Sequence, residues 1–106
     1  MEEQGNLQVV MELIIHGGGA KSNAMEAIQA AKAGDFELAG AKVSEAEASL
    51  VKAHNSQTEM LAQEAQGAKV EVSLLMVHGQ DHLMTSMAFV DLAKEIIDLY
   101  KKIDGK

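Results

Sequence analysis

The sequence contains no cysteine, no proline and no tryptophan, and only one tyrosine and two phenylalanines. Without cysteine it has no disulfide, no thiolate nucleophile and no cysteine-held zinc. Without proline no residue lacks the amide proton that a helix interior needs. Abundant Ala, Glu, Lys, Leu and Met then favour helix nearly throughout. With so few aromatics, large rings cannot dominate the packing. Positive charge is also scarce: nine basic residues stand against sixteen acidic ones, a net charge of −7. That balance argues against a nucleic-acid surface. No basic amphipathic stretch suggests adsorption to a membrane. The most apolar early run, Val9 to Ile15, is far too short to span a bilayer. The start, Met1 to Asn6, is acidic and polar, unlike a secretory signal. A cytoplasmic protein without membrane insertion is expected.

At 106 residues the chain is long enough for one domain, residues 1–106, with a modest core. Its pattern predicts three helices, over about Leu7–Ala33, Phe36–Gln66 and Ala68–Ile103. In the first, Val10, Leu13, Gly17, Ala20, Ala24, Ala27 and Ala31 recur at alternating steps of three and four. That is the spacing of a packing seam, and its small residues allow close approach of a neighbouring helix. Gly17-Gly18-Gly19 interrupts the pattern, at about 1 kcal/mol per Gly relative to Ala. A kink or a backbone contact would each explain the run. In the second helix the seam reads Phe36, Ala39, Val43, Ala46, Leu50, Ala53, Gln57, Met60, with polar Gln57 a surprise. Gly34 and Gly67 end the first two helices, and Asp35 is placed to cap the second. Short turns between long helices force an all-α, antiparallel, up-down-up three-helix bundle.

The chemistry gathers in Leu74-Leu75-Met76-Val77-His78-Gly79-Gln80-Asp81-His82-Leu83-Met84-Thr85. At about 100° per residue, His78 and His82 lie about 40° apart on one face, with Asp81 about 60° to the other side of His78. Leu75, Phe89, Leu92, Ile96, Leu99 and Ile103 continue the histidine stripe, which is expected to face helices one and two. Leu74, Val77, Met84 and Ala88 form a second stripe with Asp81 in its middle. That stripe stays partly exposed unless another chain covers it. In a symmetric oligomer Asp81 would then meet its own copies, and carboxylates brought together ionise jointly only when a cation neutralises them. A hard divalent ion such as magnesium suits oxygen ligands. An exposed Asp81 at the rim of a helix contact is the plainer alternative.

Three readings compete for the histidines. They can be border residues, each satisfied by a nearby group. They can hold a metal: His78-Gly79-Gln80-Asp81-His82 comes within one methylene of the inverted zincin signature HxxEH, with His16 or His54 as a third ligand. That gives a histidine/aspartate metal-binding bundle without group transfer. Or one imidazole is a nucleophile that accepts a transferred group while its neighbour and Gln57 orient it. Nucleotide phosphate chemistry is set aside. Gly17 to Ser22 has Ala20 where a Walker A loop needs glycine, and it lies in a helical seam rather than after a strand.

The run Val72 to Thr85 closely resembles the signature of the enzyme IIA components of the lactose/cellobiose (chitobiose) class of the phosphoenolpyruvate-dependent sugar phosphotransferase system. The likeness extends through Ile14-Ile15, Gly18 to Ser22, Gly34-Asp35-Phe36 and Glu47 to Glu59, in the family's order. Gly79 and Lys21 depart from it, standing where Ala and Arg are more frequent. The resemblance implies a phosphotransferase component with a phosphohistidine intermediate. On that pattern His78 is expected to take the phosphoryl group on Nε2 from phospho-HPr and to pass it to a cysteine of enzyme IIB during disaccharide uptake. His82, one turn on, is placed to donate a hydrogen bond to a phosphoryl oxygen, and Gln57 and His54 are further supporting candidates on the inference that helix two passes nearby. Gly79, adding no bulk beside the nucleophile, is expected to ease docking of a partner. The resemblance also implies a homotrimer whose Asp81 carboxylates share one Mg2+.

Overall fold

The computed structural model describes residues 2–105, and the surroundings of side chains from Leu7 to Gly105. Three helices account for almost all of it: α1 (Glu2–Lys32), α2 (Phe36–Ala65) and α3 (Leu74–Asp104). They stack into a rod of 56 × 20 × 19 Å, α2 running antiparallel to α1 and α3. Both glycine junctions behave as read. Gly34 (φ +86°) and Gly67 (φ +100°) take the left-handed conformation that glycine tolerates best. Beyond each, the chain closes the helix end with a pair of bonds: Asp35 N–H to the Ala30 carbonyl with Gly34 N–H to Ala31, and Ala68 N–H to Gln63 with Gly67 N–H to Glu64. The Asp35 carboxylate accepts the Leu38 amide at 3.1 Å, capping α2.

The third boundary differs from the pattern. Residues 68–73 are a non-helical connection rather than the first turns of α3. Ser73 is extended (φ −119°, ψ 166°), and its hydroxyl accepts the Met76 amide at 3.0 Å. That cap starts the helix at Leu74, because Val70-Glu71-Val72 has β-branched residues with little helical preference of their own. At the other end, α1 begins at Glu2, before the expected Leu7.

The two predicted seams of α1 and α2 form the core. Every α1 seam residue is buried. On α2, buried Ala39, Ala46, Ala53 and Met60 alternate with half-buried Phe36, Val43, Leu50 and Gln57. Burying Leu13 of α1 completely contributes about 1.5–3 kcal/mol, as does burying Leu83 of α3. The core face of α3 is not the one the stripes suggested. Met76, Gly79, Leu83, Ser86, Val90, Ala93 and Ile97 are buried, whereas Leu75, Leu92, Ile96, Leu99 and Ile103 of the histidine stripe are exposed. The physical reason is the small-residue seam of α1. It draws α3 in on a face where large residues (76, 83, 90, 97) alternate with small ones (79, 86, 93). Both apolar stripes of α3 therefore lie outside, Leu74 at 86% and Leu92 at 61% exposure. On the far side, Lys94 donates to Glu47 at 2.9 Å, linking α3 to α2. That hydrogen bond and the glutamate's charge raise the lysine pKa, but an exposed pair adds little to stability.

Candidate functional site

His78 is exposed on α3, and His82, one turn on, is half-buried. Their rings meet edge to face, centroids 4.5 Å apart and planes at 88°. The i,i+4 spacing thus delivers a true imidazole pair at the surface. Among the described residues, Nδ1 of His82 is the buried side-chain polar atom that finds no partner. Two polar imidazoles in contact, one with an unsatisfied nitrogen, form a site that the single chain does not complete.

Helix α1 fixes this turn of α3 from below. A Cβ on Gly17 would stand 3.2 Å from the carbonyl carbon and oxygen of His82, so any side chain there would press α3 outward by a few tenths of an ångström. Ser86 then donates to the Gly17 carbonyl at 2.7 Å, satisfying the one buried polar side chain among the described residues. Of the two explanations for the glycine run, Gly17 takes backbone contact: α1 passes through it as unbroken helix. Lys21 donates to Thr85 Oγ1 at 3.3 Å, and Thr85 donates to the Asp81 carbonyl at 2.7 Å. Sequence reasoning passed over Lys21 as a site residue. Its spacing of four from Gly17 was the available signal, since that places it on the face that meets α3.

Gly79 does not stand at a docking surface. It is buried, and a Cβ there would meet Val10 Cγ1 at 3.2 Å and the Val10 carbonyl at 3.3 Å. Its place is helix packing, because residue 79 points about 100° round α3 from His78, into α1. The candidates on α2 also lie apart from the pair. Gln57 donates to Gln80 Oε1 and contacts Met84 Sδ. Gln80 points about 160° away from His78 round α3. His54 lines a groove of about 360 Å³ between α2 and α3, with Leu50, Val51, Asn55, Met87 and Asp91. Within one chain, then, the fold brings His78 and His82 together but leaves Gln57 and His54 on the opposite flank. Asp81 is exposed, as the second stripe required. Among the described residues no three His, Asp or Glu side chains gather at a point, so one chain does not build the zinc site considered above.

An all-α bundle with an exposed imidazole beside a second one offers a nucleophile at the surface, a broad class of site. Comparison with known proteins narrows it. The family model "PTS system, Lactose/Cellobiose specific IIA subunit" matches residues 8–101, and the chain belongs to that family. It is 54% identical to the lichenan-specific phosphotransferase enzyme IIA component of Bacillus subtilis (strain 168), over 91% of this chain and 87% of that one. The crystal structure of the PTS cellobiose-specific enzyme IIA from Bacillus anthracis superimposes with a TM-score of 0.93 at 44% identity, covering 95% of this chain and 93% of the other. A solution structure of the IIA(Chitobiose)-HPr complex of the N,N'-diacetylchitobiose branch of the Escherichia coli phosphotransferase system gives 0.81 at 42% identity. It covers 93% of this chain and 96% of the other. Among the described residues no helix is long and apolar enough to cross a membrane.

Proposed function

We propose that this chain is a phosphoryl carrier of sugar uptake, with His78 as the acceptor. The observation that carries the reading is the exposed imidazole of His78, edge to face with His82, on a chain of the IIA family. The donor is the phosphohistidine of HPr, in line with a relative solved in complex with HPr. Neutral Nε2 of His78 attacks phosphorus in line: its N–P bond forms as the donor's breaks, while Nδ1 keeps its proton. In the second step a cysteine thiolate of enzyme IIB attacks, and His78 returns to neutral imidazole. This chain holds no thiol of its own, so the sulfur step falls to a separate partner. Its part is to position the group and to stabilise spread negative charge.

His82 is the nearest supporting donor. His82→Ala is expected to slow transfer about 10²-fold without abolishing it, the order of effect of losing one aimed hydrogen bond. Rapid-quench measurement of phosphoryl transfer checks this, and a wild-type rate removes His82 from the reaction.

We propose further that the unit is a homotrimer packed through α3. The support is the row of exposed apolar side chains along that helix, Leu74, Val77, Met84, Leu92 and Leu99 among them, a surface that a second copy would cover. Asp81 stands between Val77 and Met84 on this surface and makes no ion pair among the described residues. Its carboxylate, contributed by each of three copies, would hold Mg2+, whose part is to neutralise charge at the contact. Gln57 and His54, on the far flank of α3, would then support a phosphoryl group on a neighbouring copy's His78.

The test of the carrier reading is incubation with phosphoenolpyruvate, enzyme I and HPr. One acid-labile phosphate per chain is expected; no incorporation sinks the reading and leaves an oligomerising or metal-binding bundle.

A further inference from the structure

We infer that burial of Nδ1 locks His82 as its Nε2–H tautomer, and that this lock decides which of the two adjacent imidazoles accepts the phosphoryl group. The inference rests on the carrier reading above. Two histidines one turn apart, rings edge to face at 4.5 Å, carry the same chemistry. A neutral imidazole attacks through the nitrogen that lacks a proton, and its single proton sits on one nitrogen or the other. What each nitrogen meets in the fold makes that choice.

His78 is exposed, so the form with Nδ1 protonated and Nε2 bare is open to it. His82 differs. Its Nδ1 is closed off from solvent and finds no hydrogen-bond partner among the described residues. The polar groups around this turn are already engaged. Helix α1 presents Gly17, whose Cβ, if it had one, would stand 3.4 Å from Cβ of His82. Glycine brings no side-chain acceptor. Its carbonyl takes the Lys21 amide within the helix and the Ser86 hydroxyl at 2.7 Å, which uses both lone pairs. The Thr85 hydroxyl gives its proton to the Asp81 carbonyl at 2.7 Å and accepts from Lys21 at 3.3 Å. Lys21 has only protons to offer. A proton on Nδ1 would therefore be a buried N–H without an acceptor, rarer in folded proteins than an under-satisfied acceptor atom. The proton goes to Nε2.

The consequence for transfer is direct. At His78 the bare Nε2 forms its N–P bond as the donor's N–P bond breaks, and the electron pair of that bond returns to the donor's ring. His82 would first have to shed its Nε2 proton, and within the ring only buried Nδ1 could receive it. The lock thus removes His82 as a nucleophile. It leaves His82 as a neutral Nε2–H donor for a phosphoryl oxygen, with no proton moving on its ring.

The test reads the tautomer by nitrogen-15 NMR of the ring nitrogens in the full, unmodified chain. His82 should show a pyridine-like Nδ1 and a pyrrole-like Nε2, both before and after phosphorylation of His78. Two variants then separate the nitrogens, because a glutamine amide nitrogen falls near Nε2 of histidine and an asparagine one near Nδ1. His82→Gln should transfer phosphate within about tenfold of the wild-type rate, since it keeps the aimed donor. His82→Asn should be slowed as far as His82→Ala, about 10²-fold. A residue that only supports the fold would not separate the two amides in this way. A pyrrole-like Nδ1 on His82 overturns the inference, and so does phosphate recovered on His82 in His78→Ala. An asparagine variant as fast as the glutamine one overturns it as well. If wild type itself accepts no phosphate, the carrier reading and this inference fall together. If wild type is phosphorylated and Nδ1 of His82 carries the proton, only the inference falls.

Discussion

His78→Ala is expected to reduce phosphoryl incorporation from phospho-HPr to background while helix content and assembled mass stay as in wild type. The side chain is exposed and stands edge to face with His82. Replacing an exposed helical residue by alanine, the best helix former, changes stability by no more than about 0.5 kcal/mol. The chemistry has no such tolerance. A covalent intermediate needs a nucleophilic nitrogen that a docked donor can reach, and half-buried His82 already turns Nδ1 inward. Circular dichroism and light scattering establish the intact fold, and intact-mass measurement after incubation reads the phosphate. Retained incorporation, mapped to His82, would move the nucleophile one turn along α3.

Asp81→Leu is expected to give an assembly at least as stable as wild type and indifferent to chelator. Three carboxylates brought together on α3 repel one another unless a cation is bound. On the proposed trimer, chelation should therefore weaken the wild-type assembly, and added Mg2+ should restore it in proportion to occupancy. Leucine at position 81 continues the apolar surface of Leu74, Val77 and Met84. Replacing buried charge by packed hydrophobes is often neutral or stabilising by about 1–4 kcal/mol. Light scattering during dilution, with and without chelator, follows both proteins. A monomeric wild type, or an Asp81→Leu chain that dissociates more readily, would sink the shared-carboxylate model. Phosphoryl acceptance by His78 does not depend on that outcome, since the histidine stands on the neighbouring stripe.

Three helices, their two glycine breaks and the packing faces of α1 and α2 were all legible in the sequence. The reason is local. Gly34 and Gly67 are needed where φ is positive, and seams of Ala and Gly among polar residues leave only one face able to pack closely. The imidazole pair was legible for the same reason, since an i,i+4 spacing brings two side chains together wherever the helix goes. The start of α3 was also written in Ser73, but the apolar residues on both sides of it masked the cap.

Tertiary structure decided what the pattern of α3 could not. This helix is apolar on most of its circumference, so hydrophobic spacing offers three faces and ranks the most apolar first. The face that packs is the one with Gly79, Ser86 and Ala93, because close approach to α1 requires small residues opposite a small-residue seam. A polar Ser86 is admitted there only because the Gly17 carbonyl accepts its proton. From that choice followed everything about the site that spacing leaves open. It set both apolar stripes outside, with Asp81 on one of them, and put Gly79 in the packing. It turned Gln57 and His54 to the flank of α3 away from His78. It also separated Gly17, pressed on His82, from Gly18 and Gly19, beside which the chain places nothing. Periodicity fixes which residues share a face; which face is buried depends on the shape of the partner it meets.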